Sequence, residues 1–577
     1  NSDTGVLVPL NSDDVLSSIS LGNNGGYYNY SDSSDIGKDH SSNSNDFTAS
    51  GFSTSAGDGN DQKTDTPTNN KATLNPATGW YNNATLSEGN LEMSGSDGFK
   101  DVSTIGFPGT SKFYYEVVNT SAAGWQLVGI WTGALDHESN ALTNSHVYGI
   151  ASTQATYYGG SYTSTTDVPA WSTNDVMGIK YENGTLKFYK NGTLVTATTS
   201  SVPTNETVYA YIANDNTSAT AFARFSVDDW TQATAAGVDE DWELSTNNLP
   251  TPAVTKPSDY VKAITYSGNG GTLAVTGVGF QPDFTWIKSM SGSYSSSHYL
   301  VDDVRATSYP FKRLNSDDNA GEGGTTDRFM SFDSDGFTVK MTGGGGGFTN
   351  GGSQSYVAWN WKEDAAAGFD IVTHNVDQTS TDFTISHNLG VTPAAIFAKN
   401  RDSSHSWRVF HHKIGTGSTL FLDTQDYAST NANRINAVSS SNFTFRTNTS
   451  GNFVFYVFAE LAGFSKFGTY KGNSSTSGPF IYTGFKPAIV IMKKYAGGED
   501  AWEIKDNARA GAALATGNPV DSSLYPNTSA NQANSRYIDF YANGFRQLNT
   551  NGNTNSSGDD YAYFAWAESP FNNSSAR

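Results

Sequence analysis

Three histidines in one short segment are the residues whose types and spacing come nearest to a metal site. His405, His411 and His412 lie in HSWRVFHHK. Neutral imidazole is a common metal ligand, and it changes charge near neutral pH. No cysteine pair and no carboxylate at ligand spacing accompanies them. We therefore expect solvated or packing histidines, and we predict no metal site.

Carboxylates recur in three segments that could bind a cation or act on a glycan. AGDGNDQKTD brings Asp58, Asn60 and Asp61 close together, but the closing Glu of an EF-hand calcium loop is missing. VDEDWEL (238–244) and WKED (361–364) lie near predicted linkers. A glycosidase needs two carboxylates about 5 to 9.5 Å apart across a cleft, which a sequence cannot establish. We interpret the first segment as an acidic turn and the other two as solvated charge.

Two other catalytic motifs are incomplete. GGGGG at 343–347 lacks the Lys-Ser/Thr of a phosphate loop, so a flexible hairpin loop is the better interpretation. No Gly-x-Ser-x-Gly nucleophile elbow is present in the sequence. We predict no catalytic residues and no cofactor, and hence a protein that is not an enzyme.

Composition restricts the class of protein. The chain has 577 residues, and a single hydrophobic core stops growing at ~250 to 300 residues. Its net charge of −22 opposes binding to nucleic acid or to an anionic membrane. Cysteine is absent, which excludes disulfides and thiolate chemistry. The longest apolar run, 453–464, is shorter than a ~20-residue membrane span. We expect several soluble domains, in a chain whose start at Asn1 favours a processed or truncated product.

The pattern of the chain predicts an all-β, multidomain protein. Short apolar or alternating runs are separated by turn residues throughout, and helical periodicity is rare. Four dipeptides lie between strand-like runs and favour type I′ hairpins: Asn183-Gly184, Asn191-Gly192, Asp335-Gly336 and Asn543-Gly544. Seven such runs between 76 and 235 suit an antiparallel β-sandwich. Residues 1–75 are polar, with GYYNYSD (26–32) as the one clear strand-like piece, and 236–256 form a linker.

The rest of the chain is a repeat. QPDFTWIK, TPAAIFAK and KPAIVIMK each join a proline to five mostly apolar residues and a lysine, namely Lys288, Lys399 and Lys493. An aromatic follows each lysine, and an aromatic strand closes each copy. We predict three tandem β-sandwich-like repeats at 257–364, 365–463 and 464–577. Each copy of the phrase is interpreted as a central strand that starts at proline and ends at solvent with lysine. The following aromatics are Tyr299, Trp407 and Trp502.

Specific stretches resemble known families. KFYYEVV, the VGI of WQLVGIW, YGIA and NDVMGIKYENGTLKFYKNGTLV (174–195) resemble a SPRY domain over roughly 85 to 230. The segments at 36–70, 467–494 and 561–571 are similar to tail-fibre-like virion proteins of marine bacteriophages. In those proteins, the first segment joins a concanavalin-like sandwich to a SPRY domain, and the others belong to C-terminal repeats. Too little chain precedes Asp35 for a complete concanavalin-like domain, so we interpret 1–75 as a remnant or edge of one.

The resemblance implies a virion surface protein, a tail fibre or spike for host attachment. It also implies a homotrimer that binds a host receptor, glycan or protein, and other virion proteins. A tail-spike glycan depolymerase and a secreted bacterial adhesin remain alternatives. SPRY domains bind ligands through loops at one end of the sandwich. Four aromatics near such loops are therefore candidate ligand-binding residues, with packing inside the sandwich as the alternative: Trp131, Tyr157, Tyr158 and Trp171.

Overall fold

The computed structural model describes most of the chain. The described residues are 12–54, 61–63, 69–78, 80, 84–95, 98–121, 125–135, 144–199, 201–214, 219–291, 296–306, 309–323, 328–341, 347–430, 433–509 and 518–571. Asp58 and Asn60 of the calcium-like segment lie outside them, as do residues 343–346 of the glycine run. The fold of the described residues is nearly all-β, which confirms the predicted class.

The SPRY-like sandwich consists of two antiparallel sheets. It follows a short helix, α1 (Ser12–Ser18), and its strands are β1 (Thr85–Ser87), β2 (Glu92–Ser94), β3 (Lys100–Val102), β4 (Phe107–Pro108), β5 (Lys112–Ser121), β6 (Gln126–Thr132), β7 (Val147–Ala151), β8 (Ala155–Tyr158), β9 (Ser161–Ser164), β10 (Val176–Glu182), β11 (Thr185–Lys190), β12 (Thr193–Leu194), β13 (Thr207–Asn214) and β14 (Thr220–Arg224). One sheet has the order β1-β2-β14-β5-β10-β11-β12 and the other β3-β13-β6-β7-β8-β9, with β4 beside β13. A hydrophobic core lies between the two sheets.

Two of the four predicted hairpin turns have the expected backbone. Asn183 and Gly184 both have positive φ, as do Asn191 and Gly192, which is what a type I′ turn requires. The other two dipeptides also join paired strands. They are not type I′ turns, because their central residues are Ser334-Asp335 and Ala542-Asn543, and none of the four has a positive φ.

Three similar units follow the sandwich, after a one-turn helix α2 (Ala233–Ala236). Unit 1 (261–361) contains β15 (Val261–Ser267), β16 (Thr272–Thr276), β17 (Phe284–Ser289), β18 (Tyr299–Asp302), β19 (Phe329–Asp333), β20 (Gly336–Lys340) and β21 (Ser355–Trp361). Unit 2 (369–458) contains β22 (Phe369–Val376), β23 (Asp382–Ser386), β24 (Ala395–Asn400), β25 (Arg408–His411), β26 (Ile435–Val438), β27 (Asn442–Arg446) and β28 (Gly451–Phe458). Unit 3 (465–570) contains β29 (Ser465–Lys471), β30 (Phe480–Tyr482), β31 (Phe485–Ala496), β32 (Glu503–Asp506), β33 (Val520–Ser523), β34 (Ala533–Tyr541), β35 (Gly544–Gln547), helix α3 (Gly552–Asn555) and β36 (Asp560–Pro570).

Each unit repeats one topology. A four-stranded inner sheet has the order β15-β21-β17-β18 in unit 1, β22-β28-β24-β25 in unit 2 and β29-β36-β31-β32 in unit 3. An outer sheet of three or four strands covers it, with a hydrophobic cluster between the two sheets. The repeated phrase forms an interior strand of each inner sheet, as predicted. Pro282 and Pro393 precede their strands, whereas Pro487 lies inside β31 at a break in the register, where proline costs no regular ladder bond.

The three units share one core, which tandem independent domains would not do. A single hydrophobic cluster contains inner-sheet residues of all three units. At its centre, Phe284 of unit 1 contacts Tyr456 of unit 2, with ring centroids 4.5 Å apart. Trp361 of unit 1 lies edge-on to Trp566 of unit 3 at 5.4 Å. The units therefore form one body whose inner sheets face each other.

The prediction that the repeated lysine reaches solvent is wrong. Lys288, Lys399 and Lys493 are fully buried. Each ammonium donates to a backbone carbonyl of another unit: Lys288 to Ser529 at 3.0 Å, Lys399 to Asn319 at 2.8 Å and Lys493 to Gln425 at 2.7 Å. These contacts connect unit 1 to unit 3, unit 2 to unit 1 and unit 3 to unit 2. The lysines thus close a ring of contacts between the units.

A second ring of contacts starts at the residue that precedes β18, β25 or β32. Trp407 Nε1 donates to Asn315 O and Trp502 Nε1 to Phe421 O, both at 2.8 Å. In unit 1 this position is His298, whose Nε2 donates to Tyr525 O at 3.0 Å. His298, rather than the predicted Tyr299, is therefore the counterpart of the two tryptophans. An imidazole N–H can replace an indole N–H because both donate from a flat ring.

The terminal and linking segments differ from the prediction. GYYNYSD (26–32) forms no strand; the N–H of Tyr27 instead donates to Asp39 Oδ1 at 2.7 Å in a compact turn. Ala72 and Leu74 lie in the core of the SPRY-like sandwich. Within the predicted linker, Leu244 is buried in that same core. Val254 is buried in the shared core of the three units. These segments consequently belong to the packed body.

No helix in the described part of the chain is long and apolar enough to cross a membrane.

Candidate binding surfaces

Three of the four predicted aromatics lie on two faces of one sheet, and Trp171 lies in the loop before β10. Trp131 is fully buried and packs on Trp80, with centroids 4.9 Å apart. Trp171 is buried between the sheets, as is much of Tyr158, and burial raises the pKa of Tyr158 to about 12. Tyr157 is 5% exposed on the opposite face. The structure does not bring these rings together as one exposed platform; it places them in two hydrophobic clusters.

An exposed aromatic surface does occur beside Tyr157. Tyr157 contacts Trp125 at 5.8 Å and Tyr162 at 5.3 Å between centroids. Tyr162 is 58% exposed, and Trp125 is partly buried. We refer to Trp125, Tyr157 and Tyr162 as the aromatic edge. Trp125 and Tyr162 were not among the predicted residues, although a lone tyrosine in the polar run GGSYTSTTD is a detectable signal.

The aromatic edge adjoins a free strand edge. β9 is the last strand of its sheet and pairs only with β8 among the described residues. All four of its residues, Ser161 to Ser164, are exposed, and none is charged or proline. Natural proteins usually protect an exposed edge strand with charge, proline or a bulge, because its unpaired N–H and C=O groups can bind another strand. β9 lacks such protection, which makes it available for strand addition.

A cleft separates the SPRY-like sandwich from units 2 and 3 and contains two adjoining cavities. The larger, of about 250 Å³, is lined by Pro108, Pro250, Leu461 and their neighbours. The smaller, of about 210 Å³, we call the tyrosine cavity. Its aromatic lining consists of His146 and Tyr209 from the sandwich and Tyr470, Phe480, Tyr482, Tyr495 and Tyr563 from unit 3. Both cavities share Glu206 and Lys466 on their walls.

The rings of the tyrosine cavity are held in place by packing and hydrogen bonds. Tyr209 and Tyr482 meet edge to face at 5.7 Å, which joins the sandwich to unit 3. Tyr563 is 3% exposed, and Tyr470 donates to Thr554 O at 2.7 Å. Burial raises the pKa of Tyr209 and of Tyr563 well above the ordinary value. Their hydroxyls therefore stay protonated at any physiological pH and remain able to donate.

The histidine segment serves packing. His411 is buried edge-on against Phe564 at 5.0 Å, and its Nε2 donates to Tyr563 O at 3.3 Å. Burial lowers the pKa of His411 to about 3 and also lowers the pKa values of His412 and His405. His412 Nε2 donates to Phe467 O at 2.6 Å. Within the described ranges, no three His, Cys, Asp or Glu side chains cluster as metal ligands.

The acidic segments are less solvated than predicted. Glu243 of VDEDWEL is buried, forms an ion pair with Lys71 and accepts from the Val227 N–H at 2.7 Å. Glu363 of WKED accepts from the Ile371 N–H at 2.9 Å, and burial together with the neighbouring Asp370 raises its pKa to about 8. The solvated-charge interpretation is wrong for these two carboxyls, because both satisfy backbone donors inside the body.

Comparison with known proteins agrees with this architecture. Residues 112–224 match the SPRY domain, which is a protein-binding domain. The sandwich is therefore a SPRY domain. Residues 256–570, which contain all three units, match the family described as "Domain of unknown function (DUF7483)". Because that match covers more than half of the chain, the protein belongs to the DUF7483 family. No curated protein matches the chain.

Several solved SPRY-domain structures are similar to about a quarter of the chain. The SPRY domain of human HERC1 is 17% identical, with 24% of this chain and 91% of that chain covered at a TM-score of 0.21. The TRIM65 PSpry domain is 14% identical, with 26% and 91% covered at a TM-score of 0.22. A human SPRY domain is 13% identical, with 24% and 94% covered at a TM-score of 0.21.

Proposed function

We propose that this protein is a non-enzymatic surface protein of a bacteriophage virion, a tail fibre or spike component that attaches the particle to its host. The observation that carries the proposal is a SPRY domain with an unprotected edge strand and an exposed aromatic surface, fixed on a large β-body. The resemblance of 36–70, 467–494 and 561–571 to phage fibre proteins supports the virion location. The net charge of −22 supports a partner that is neither nucleic acid nor an anionic membrane.

Binding at the aromatic edge combines two interactions. The free N–H and C=O groups of β9 can pair with an extended segment of a partner protein. Tyr162 gives that segment a flat ring, which Tyr157 and Trp125 support from behind. A ring supported in this way binds at a low cost in side-chain entropy. We further propose that the chain acts as a homotrimer, as phage fibres usually do, with the SPRY domain directed toward the host receptor.

Truncation of the exposed ring tests the proposed binding. Tyr162→Ala should weaken adsorption of the purified protein to host cells by about 5- to 30-fold, the range of a ~1–2 kcal/mol contact. Tyr427→Ala is the matched control, because Tyr427 is a similarly exposed tyrosine, 53% against 58%, on unit 2. Equal adsorption of both variants and the wild type would exclude the aromatic edge as the attachment surface.

Three measurements separate this proposal from its alternatives. Mass spectrometry of purified particles should detect the chain, and its absence would defeat the virion proposal. A glycan depolymerase would release new reducing ends from host surface polysaccharide, whereas a binding protein would not. A secreted bacterial adhesin would be encoded away from phage structural genes. The proposed homotrimer has its own test: light scattering of the purified protein should give the mass of three chains.

A further inference from the structure

The tyrosine cavity has the dimensions of a site for a small ligand. Its volume of about 210 Å³ far exceeds the ~10–15 Å³ that one water needs. It is smaller than the ~300 Å³ at which pockets for drug-sized ligands begin. It lies where the SPRY domain meets unit 3, and ligand sites occur preferentially at such domain boundaries. A single ring with its substituents is therefore the appropriate size of occupant.

The charges on its walls are balanced in pairs. Glu206 forms an ion pair with Lys413 at 2.8 Å, and Asp560 with Lys471 at 2.8 Å. Lys466, which lines the same cavity, pairs with Glu460 at 2.6 Å. An anionic or cationic ligand would meet no unpaired opposite charge on these side chains, and it would lose hydration on entry. The pairing favours a neutral ligand.

The remaining walls combine flat rings with hydroxyl groups. Tyr482 presents a partly exposed phenol ring, Tyr209 and Tyr563 line the cavity beside it with little exposed surface, and Thr469 adds an aliphatic hydroxyl. Carboxylate and hydroxyl oxygens accept from ligand hydroxyls, while phenol rings contact the C–H faces of a saturated ring. We propose that the tyrosine cavity binds a neutral sugar ring, with the adjoining cavity at Pro108 and Pro250 open to the rest of a glycan. This site is distinct from the aromatic edge, and its occupancy does not depend on the virion proposal.

The repeat supplies a matched pair of variants for the test. Thr469 in β29 of unit 3 corresponds to Thr373 in β22 of unit 2. Thr469 pairs with Ala562, and Thr373 pairs with Val454, which is the equivalent position in the last strand of its unit. Thr373 is exposed, whereas Thr469 lines the cavity. Thr469→Phe fills the cavity, and Thr373→Phe places the same ring at the equivalent position on the surface.

Ligand-observed NMR titration of the full chain provides the measurement. Glucose, galactose and N-acetylglucosamine are the neutral probes, and glucuronate is the anionic one. At least one neutral sugar should bind saturably, and glucuronate at least about 5-fold more weakly. Thr469→Phe should weaken the neutral sugar by at least about 10-fold, and Thr373→Phe should stay within about 2-fold of wild type. Absence of saturable binding by all three neutral sugars, or wild-type affinity in Thr469→Phe, would overturn the proposal.

Glu206→Gln tests the charge argument separately, without relying on a filled cavity. The change leaves Lys413 unpaired, so glucuronate should gain at least about 5-fold relative to the neutral sugar. An unchanged ratio would contradict the inference that paired charges select a neutral ligand.

Discussion

The buried lysines predict an unusual dependence of stability on pH. Lys288, Lys399 and Lys493 lie inside the body without solvent contact, and burial lowers the pKa of each to about 8 from the reference value of 10.5. A lysine with a lowered pKa in the folded state holds fewer protons there than in the unfolded chain. The contribution of these lysines to stability should therefore rise with pH between about 8 and 10.5. Substitution of one lysine by methionine removes the part of this increase in stability that the lysine contributes.

The magnitude follows from the two pKa values. For one lysine, a folded pKa of about 8 and an unfolded pKa of 10.5 give a gain in the free energy of unfolding of about 2 kcal/mol between pH 7.5 and 9.5. Three equivalent lysines together give about 6 kcal/mol over the same interval. Lys399→Met also leaves the carbonyls of Asn319 and His405 without this donor. That loss costs about 1–3 kcal/mol at both pH values, so it does not alter the difference between them.

Urea denaturation at pH 7.5 and 9.5, followed by tryptophan fluorescence, measures this difference. Lys399→Met should gain about 2 kcal/mol less stability than wild type on going to the higher pH. Lys187→Met, which removes an exposed lysine from the SPRY domain, is the control and should gain as much as wild type. If Lys399→Met gains as much as the control, the inference that a buried ammonium is destabilised below pH 8 is refuted.

Three other substitutions have expected outcomes. Glu363→Gln should raise the free energy of unfolding at pH 7 by about 1–2 kcal/mol. The Glu363 carboxyl beside Asp370 keeps its proton at pH 7 in the folded protein, whereas the same carboxyl in the unfolded chain has a lower pKa and releases it. Denaturation at pH 4 and pH 7 should show the gain only at pH 7. Asp506→Ala should cost about 3–5 kcal/mol in urea denaturation, because the fully buried Arg509 loses its ion-pair partner; a cost no larger than that of Asp259→Ala, which breaks the exposed pair with Lys256, would contradict this. Trp131→Ala should cost about 3–5 kcal/mol through the cavity it leaves, and an unchanged thermal midpoint would argue against its packing role.

The sequence predicted the fold class and the repeated central strand because both depend on local patterns. Alternating apolar runs, Asn-Gly turns and a proline before a strand are each visible within about ten residues. The position of Lys399 could not be predicted in this way. A lysine at a strand end normally extends to solvent. Here two backbone carbonyls, that of Asn319 from another unit and that of His405, accept from the ammonium and make its burial acceptable.

The candidate site was less predictable than the fold for a related reason. Aromatic side chains are frequent both in cores and at binding surfaces, so Trp131 and Trp171 could not be assigned to either from their type. Tyr162 differs from them in its neighbours: serine and threonine surround it, and a tyrosine in such a strand has no apolar partners to bury it. The polarity of the neighbouring residues was thus the more informative signal.

The repeat also explains why the aromatic contacts of the SPRY domain are made with unit 3, whereas unit 2 reaches the domain through the ion pair of Lys413 with Glu206. The strands β16, β23 and β30 are equivalent, since Val275, Ile385 and Ile481 each pair with the phenylalanine of the next hairpin. The residues on either side of these three positions are exposed in units 1 and 2, where they are Ala274 and Thr276, and Thr384 and Ser386.

In unit 3 the same two positions are Phe480 and Tyr482, which cover the outer face of the SPRY sheet. Two large rings in place of small or polar side chains create an apolar surface that only one of three similar units possesses. Tyr482 contacts Tyr209 of the sandwich, and Phe480 is 2% exposed beneath it. A double variant with the unit 1 residues, Phe480→Ala and Tyr482→Thr, should therefore release the SPRY domain while the three units stay folded. Small-angle scattering should then show a larger radius of gyration; an unchanged radius would mean that other contacts fix the domain.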